Sequence, residues 1–268
     1  MTVSILGCGW YGLELAKALV NKWIKVKGST TSADKLPVLS QHGIEPYQIN
    51  LTTEDDIDTG FFDCDVLWIC IPPRARSGNG EAYLESLKKL IPHIKSEQIK
   101  QVVLISSTGV YGDYNTEVTE LDAPNPDTES GKIMLAAEEI LKAEKAFITT
   151  IIRFGGLIGP DRDPGRFFAG KTDVPNGEAP VNLIHLTDCV GISCMILDKQ
   201  AFGHTYNAVS PLHPTKAEFY AAAALALEAE EPQFIEEKNN WKIVSSVNIE
   251  KYVGYEYKHE LLVSLSSQ

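Results

Sequence analysis

Two short stretches carry residue types whose spacing could do chemistry. The first is G-C-G-W-Y-G, Gly7 to Gly12. It sits between a short apolar run and a segment with helical spacing. In a G-x-G-x-x-G so placed, Gly7 permits a tight turn, and Gly9 lets the backbone approach a diphosphate with no Cβ in the way. Gly12 lets the following helix pack closely on a sheet. The helix start then offers unpaired N–H groups and a partial positive charge to phosphates. The pattern predicts dinucleotide binding, with Trp10 and Tyr11 among the contacts; the alternative is a glycine-rich turn with no ligand. The second stretch is D-T-E-S-G-K-I, Asp127 to Ile133, in which Lys132 follows Thr128 by four residues. It raises the question of whether Thr128 stands where a proton donor belongs. The G-K pair is not a phosphate-binding P-loop, because Pro126 stands five residues before Gly131 and Ile133 follows the lysine instead of Ser or Thr.

The residues after the second apolar run bear on which dinucleotide is bound. An NAD site usually places an acid there to bond the adenosine ribose hydroxyls. Here the chain reads K-G-S-T-T-S, Lys27 to Ser32, with no acid before Asp34. Thr30, Thr31 and Lys35 could instead receive a 2′-phosphate, so NADP is expected ahead of NAD. The competing reading is that these residues cap the next helix, a task that suits Ser32. Ile71 and Pro72 are expected to floor the cofactor site. Arg74 and Arg76 just beyond, and Arg162, Arg166 and Lys171 with Arg153 ahead of them, are cations in an acidic chain that could face an anionic substrate. Phe167 and Phe168 could stack on a ring. The plainer alternative pairs these cations with Asp161, Asp163 and Asp173. His185 is expected to be a structural histidine at a strand end.

The elements that must position these residues alternate along the chain. Strands are expected at Val3–Leu6, Ile24–Lys27, Ile44–Leu51, Asp65–Ile71, Val102–Ser106 and Ile148–Phe154. Helical spacing falls between them, at 13–20, 35–41, 81–95 and 129–144. Strands apolar throughout suit burial on both faces, and β-α alternation suits a parallel sheet wrapped by helices. Further on, Val181–Leu186 and His204–Val209 read as strands, and Cys189–Leu197 and Ala217–Glu228 as helices. The expected fold is α/β: a Rossmann fold with a doubly wound parallel sheet over residues 1–158, to which 181–209 returns. Residues 159–180 and 210–268 form a small substrate-binding cap.

Composition narrows the function classes. The 268 residues suffice for a full core, and 44% of them are hydrophobic. A formal charge of −12 disfavours nucleic-acid binding. No apolar run approaches the roughly 18 residues of a membrane span, and the N-terminus lacks the basic-then-apolar pattern of a cleaved leader. Five cysteines without a C-x-x-C pair read as reduced thiols of a cytoplasmic protein and not as metal ligands. A homodimer is compatible with all of this.

The fifth strand runs into S-S-T-G-V-Y-G-D, Ser106 to Asp113. With I-I-R-F-G-G-L-I-G-P (Ile151–Pro160), V-N-L-I-H-L-T-D (Val181–Asp188) and Y-N-A-V (Tyr206–Val209), it resembles the extended short-chain dehydrogenase/reductases, the sugar-nucleotide epimerases and dehydratases. The resemblance implies that Ser107 bonds the substrate oxygen that is oxidised or reduced, next to Thr108. It implies that Lys132 is the lysine of Y-x-x-x-K, holding the nicotinamide ribose and lowering the tyrosine pKa. The tyrosine position is Thr128, a departure shared with the atypical bacterial members of that family. A threonine hydroxyl is far less acidic than a phenol near pKa 10 and cannot be tuned so far. Three readings stay open. Another group, Tyr111, Tyr114 or Ser107, donates the proton; or the reaction needs no phenol; or the protein binds its cofactor with little turnover. The expectation is an NAD(P)-dependent oxidoreductase or epimerase-like enzyme acting on a small anionic or nucleotide-linked substrate. A catalytically weak NADP(H)-binding sensor is the alternative.

Overall fold

A computed structural model of the chain describes residues 1–51, 57–73, 80–259 and 261. Arg74 and Arg76 lie outside the described residues. A seven-stranded sheet, parallel at every pairing, forms the body. Its strands are β1 (Thr2–Leu6), β2 (Lys25–Thr30), β3 (Glu45–Gln48), β4 (Val66–Ile69), β5 (Gln101–Ser107), β7 (Ile148–Phe154) and β10 (Thr205–Ala208), in the order β10-β7-β5-β4-β1-β2-β3. The chain winds outward from β1 to β3, then returns to β4 and winds the other way. The reversal leaves a crevice at the carboxyl ends of β1 and β4, where ligands of open α/β sheets bind.

Alternation along the strands sends side chains to both faces. Val3, Ile5, Val66 and Trp68 face a core layer completed by α1 (Trp10–Asn21) and α6 (Leu186–Asp198). Leu6, Leu67, Ile69, Val102 and Leu104 face the opposite layer, under α3 (Gly80–Ser96) and α4 (Glu129–Lys142). This two-sided burial is the reason those strands read as continuous apolar runs. Pro37 is accommodated near the start of the short α2 (Leu36–Gln41), where its missing N–H costs nothing.

Two segments depart from the expected layout. The strand expected at Val181–Leu186 is only β9 (Leu183–His185), and it pairs with β8 (Gly156–Ile158) in a separate two-stranded ladder instead of joining the main sheet. The return of 181–209 is made by α6 and β10. In the C-terminal region β11 (Lys242–Val244) pairs with β6 (Thr116–Val118), in the loop after β5. Residues 242–244 are therefore bound to the loop that carries the expected chemistry. A third, smaller core joins Ile158, Val181 and Leu183 to Phe219 and Tyr220 of α7 (Lys216–Ala226). That helix starts on a reciprocal capping box between Thr215 and Glu218.

Candidate functional site: a glycine cradle and the turn after β5

Each glycine of the first turn has its own physical cause. Gly7 has φ +99°, a conformation that L side chains rarely adopt, and a Cβ there would lie 3.0 Å from Ile71 Cγ2. At Gly12 a Cβ would collide with the carbonyl oxygen of Gly7. At Gly9 a Cβ would meet nothing within 4 Å. The first two positions are glycine because protein is in the way; the third opens outward. The turn is fixed to β2, since the Gly7 N–H donates to Ser29 Oγ (2.9 Å) and the Cys8 N–H to the Ser29 carbonyl (2.8 Å). Helix α1 begins there with no side-chain cap and no acid in its first turn. A cleft of 860 Å³ runs past Gly9, Trp10, Thr30, Lys35, Pro160, Asp161 and His185. An open cradle at a bare helix start fits the diphosphate of a dinucleotide.

Of the expected cofactor residues, Thr30 and Lys35 line this cleft, and Ile71 packs on the Gly7 turn. Ser32 makes no side-chain cap bond to the turn at Ala33–Lys35, so capping does not account for the hydroxyls there. Thr30 Oγ1 accepts from the Ser32 N–H (3.2 Å), and the Thr31 carbonyl accepts from the Gln48 amide (3.4 Å). Tyr11 points away from the cleft. Its ring is buried edge-on against Phe154 and its hydroxyl meets Ser193 Oγ at 2.6 Å, joining α1 to α6. Only its backbone remains for a ligand.

At the end of β5, Ser107 Oγ accepts from the Gly109 N–H (3.1 Å) and caps a short turn, Thr108–Val110. The first turn of α4 lies directly against it, because a Cβ at Gly131 would strike the Gly109 carbonyl. Thr128 is the N-cap of α4, its oxygen accepting from the Gly131 N–H at 3.1 Å. The residue in the tyrosine position is thus an ordinary helix cap. Lys132 is exposed and pairs with Glu129 at 2.6 Å, which raises its pKa above the usual lysine value.

Tyr111, one of the proton-donor candidates, is buried and lines neither the cleft at the glycine turn nor the one that opens from Thr108 and Gly109. Its hydroxyl lies inside the fold, accepting from Arg153 Nη1 (2.6 Å) within reach of the Thr119 carbonyl (2.8 Å) and Asn207 Oδ1 (3.2 Å). Burial pushes its pKa up. Arg153 likewise leaves the expected cation cluster: it is buried and gripped by both oxygens of Glu138. Tyr114 is different. It is 52% exposed, and its ring folds back so that a Cβ at Gly112 would lie 2.8 Å from its Cζ. The Asp113 N–H donates to Asp127 (3.0 Å), drawing this loop to the start of α4.

A second cleft, of 290 Å³, opens from Thr108 and Gly109 and is walled by Asn182, Lys216, Tyr220, Trp241 and Lys242. Lys242 bonds the Tyr111 carbonyl (2.6 Å) and Asp113 (2.8 Å), and Asn182 holds β11 by two hydrogen bonds. Sequence reasoning missed these residues, since the β6–β11 pairing brings Trp241 and Lys242, and α7 brings Lys216 and Tyr220, to the turn after β5 from far along the chain. Arg166 and Phe167, expected at the substrate, lie outside this lining. They sit on α5 (Gly165–Phe168), which packs against α7 at Gly165 and Ala223 and sets Phe167 beside Tyr220. Among the described residues, Arg162, Arg166 and Lys171 form no ion pair with Asp161, Asp163 or Asp173.

His185 caps α6 through Nδ1, which accepts from the Thr187 N–H (3.2 Å), and stacks on His259 at 3.5 Å. This agrees with the structural reading. Burial, then His259, lowers its pKa from 6.5 to about 4. Because the folded value lies below the unfolded one, the unfolded chain binds the extra proton between them. Stability is expected to be complete above about pH 6.5 and to fall as the pH drops toward 4. Urea midpoints across that range should show the loss, and His185→Asn should flatten it.

The chain is 38% identical over 265 residues to protein YeeZ of Escherichia coli, covering 96% of each. Among solved structures it superposes on a functionally unknown conserved protein from Silicibacter pomeroyi with a TM-score of 0.82, at 20% identity, over 99% of this chain and 97% of that one. It also superposes on a UDP-glucuronic acid 4-epimerase from Bacillus cereus, in complex with UDP-glucuronic acid and NAD, with a TM-score of 0.82 at 17% identity, over 100% and 97%. Residues 7–184, which begin at the glycine turn and end beside the second cleft, match the NAD(P)H-binding family, and the chain belongs to it.

Proposed function

We propose that this protein is an NAD(P)-dependent oxidoreductase of the epimerase-like kind, acting on a small anionic or nucleotide-linked substrate. The observation that carries the reading is the second cleft. It starts at the turn capped by Ser107 and ends on Lys216, Trp241 and Lys242; Lys242 is held by Asp113 and the Tyr111 carbonyl, which leaves Lys216 suited to a phosphate or carboxylate and Trp241 to a ring. The Bacillus cereus protein of the same fold is in complex with a UDP-sugar and NAD, which makes UDP-sugars the first substrates to try. The nicotinamide would supply the hydride acceptor or donor. On the protein side, Ser107 bonds the reacting oxygen and Lys132 steadies the ribose. Tyr114 takes over the proton transfer that a phenol at position 128 would have made. NADP is the preferred form, held at its 2′-phosphate by Lys35 and Thr30.

A positioned acid contributes roughly 10²–10⁴ in rate. Tyr114→Phe is therefore expected to cut turnover about 100-fold while leaving dinucleotide affinity unchanged, and Lys132→Ala to weaken both. Following nicotinamide absorbance over a panel of UDP-sugars checks this; full turnover by Tyr114→Phe would return the role to Ser107. One feature favours a sensor with little turnover. Lys132 is paired with Glu129 and Thr128 is spent as a cap, an arrangement that needs no substrate. Tight NADPH binding without turnover on the whole panel would select that reading.

A further inference from the structure

Arg162 lies apart from the cations around it. Residues 159–162 form a tight turn closed by reciprocal backbone bonds between Gly159 and Arg162 (3.3 and 2.9 Å), with Gly159 at φ +138° and Asp161 at φ +64°. The turn is strapped to the glycine cradle across 150 residues of sequence, because the Trp10 indole N–H donates to the Pro160 carbonyl at 2.6 Å. The Arg162 guanidinium then lies over the indole, 4.2 Å from its centroid. Trp10 immediately follows the open Gly9, on the first turn of uncapped α1. In a chain of net charge −12, no carboxylate among the described residues forms an ion pair with this exposed arginine. A cation–π contact fixes an arginine in place while leaving its N–H edge able to bond an anion. The cleft at this point also holds Asp161 and the Glu14–Lys17 pair, so its charge is mixed. Lys35 lines it after β2, and Arg162 borders it through its contact with Trp10 and its neighbours Pro160 and Asp161, which line it.

We propose that Arg162, stacked on Trp10 and held by the 159–162 turn, is a clamp for the diphosphate of the bound dinucleotide, making the turn after β8 part of the cofactor site. The inference rests on the NAD(P)-binding reading and moves Arg162 from the substrate, where the sequence had suggested it, to the cofactor. Trp10 acts as a positioning residue. The partner chemistry is a doubly charged diphosphate, which a guanidinium can bond through two N–H groups at once.

Calorimetric titration of the full chain with NADPH, NADH, ADP and adenosine tests it. Arg162→Gln is expected to weaken ADP and both dinucleotides by roughly 10- to 100-fold, the range of a lost charge-assisted hydrogen bond, and to leave adenosine unchanged. Trp10→Phe keeps a ring under the cation but loses the bond to Pro160, and is expected to give a smaller loss in the same ligands. Arg162 is exposed and its removal opens no core, so a folding failure is not anticipated; thermal melts of both variants verify this. Unchanged ADP affinity in Arg162→Gln overturns the clamp, as does an equal loss for adenosine. If the wild-type protein binds none of the dinucleotides, the cofactor reading fails instead, and that result is seen before any variant is made.

Discussion

Replacing Arg153 with Met is expected to destabilise the protein by roughly 3–5 kcal/mol, the range for a buried charge left without its partner. Glu138 and Arg153 are both buried, with side-chain exposures of 0% and 3%. Glu138 accepts from Arg153 Nε (2.9 Å) and Nη2 (2.6 Å) and from the Ser106 hydroxyl (2.6 Å). Arg153 in turn donates to Tyr111, which lies next to the turn capped by Ser107. Cutting out the arginine strands the carboxylate; Lys142, at 3.6 Å, offers weaker company. The double variant Glu138→Leu/Arg153→Met removes both charges and is expected to recover most of the loss, because two apolar side chains avoid the desolvation cost altogether. Urea unfolding of the single and double variants reads this directly. If the single variant costs less than about 1 kcal/mol, the size of an exposed pair, the buried network does not hold this part of the fold together. Since Tyr111 and Ser106 both bond this pair, the single variant should also loosen the turn that carries Ser107 and Thr108.

The second large effect separates ligand from fold at the glycine cradle. Gly12→Ala drives a methyl into the Gly7 carbonyl, so α1 must shift off the sheet. It is expected to lose dinucleotide binding and also stability, by about 1–3 kcal/mol as for an overpacked site. Gly9→Ala adds the same methyl where no protein atom lies within 4 Å. It is expected to melt like the wild type yet bind NADPH and NADH at least tenfold more weakly, because the methyl occupies the place of a diphosphate, about 1.4 kcal/mol or more. Thermal melts and calorimetry on the two variants give a crossed result that no general weakening of the fold would produce. Equal affinity in Gly9→Ala and wild type would mean that the diphosphate does not lie over Gly9.

The glycine motif, the β-α alternation and the place of the turn after β5 were legible in the residues. Each rests on local causes: a φ that favours glycine, a two-residue or 3.6-residue period, an apolar run buried on both faces. Strand ends were less so, since β2 extends three residues beyond Lys27 and β4 stops two short of Ile71. A strand's end depends on how far its neighbours run. The sequence could not tell an exposed phenol from one that serves the core. Tyr111 and Tyr114 are three residues apart, and only the arrival of Arg153 and Asn207 from distant strands buries one and leaves the other in solvent.

By itself, then, the sequence determined that the first turn is a nucleotide-binding cradle and that a parallel sheet supports it, because both are written in residue types and their spacing along the chain. Tertiary structure alone decided which cations are buried and which border a cleft. Arg153 was drawn into a buried pair with Glu138, Arg162 was laid over Trp10, Lys242 was brought to the turn after β5 by the pairing of β11 with β6, and Lys216 reached the same cleft at the start of α7, its N–H bonded to the Ala179 carbonyl. A charge has no periodicity to betray its partner, and its role is set by whichever carboxylate, ring or opening the fold places beside it.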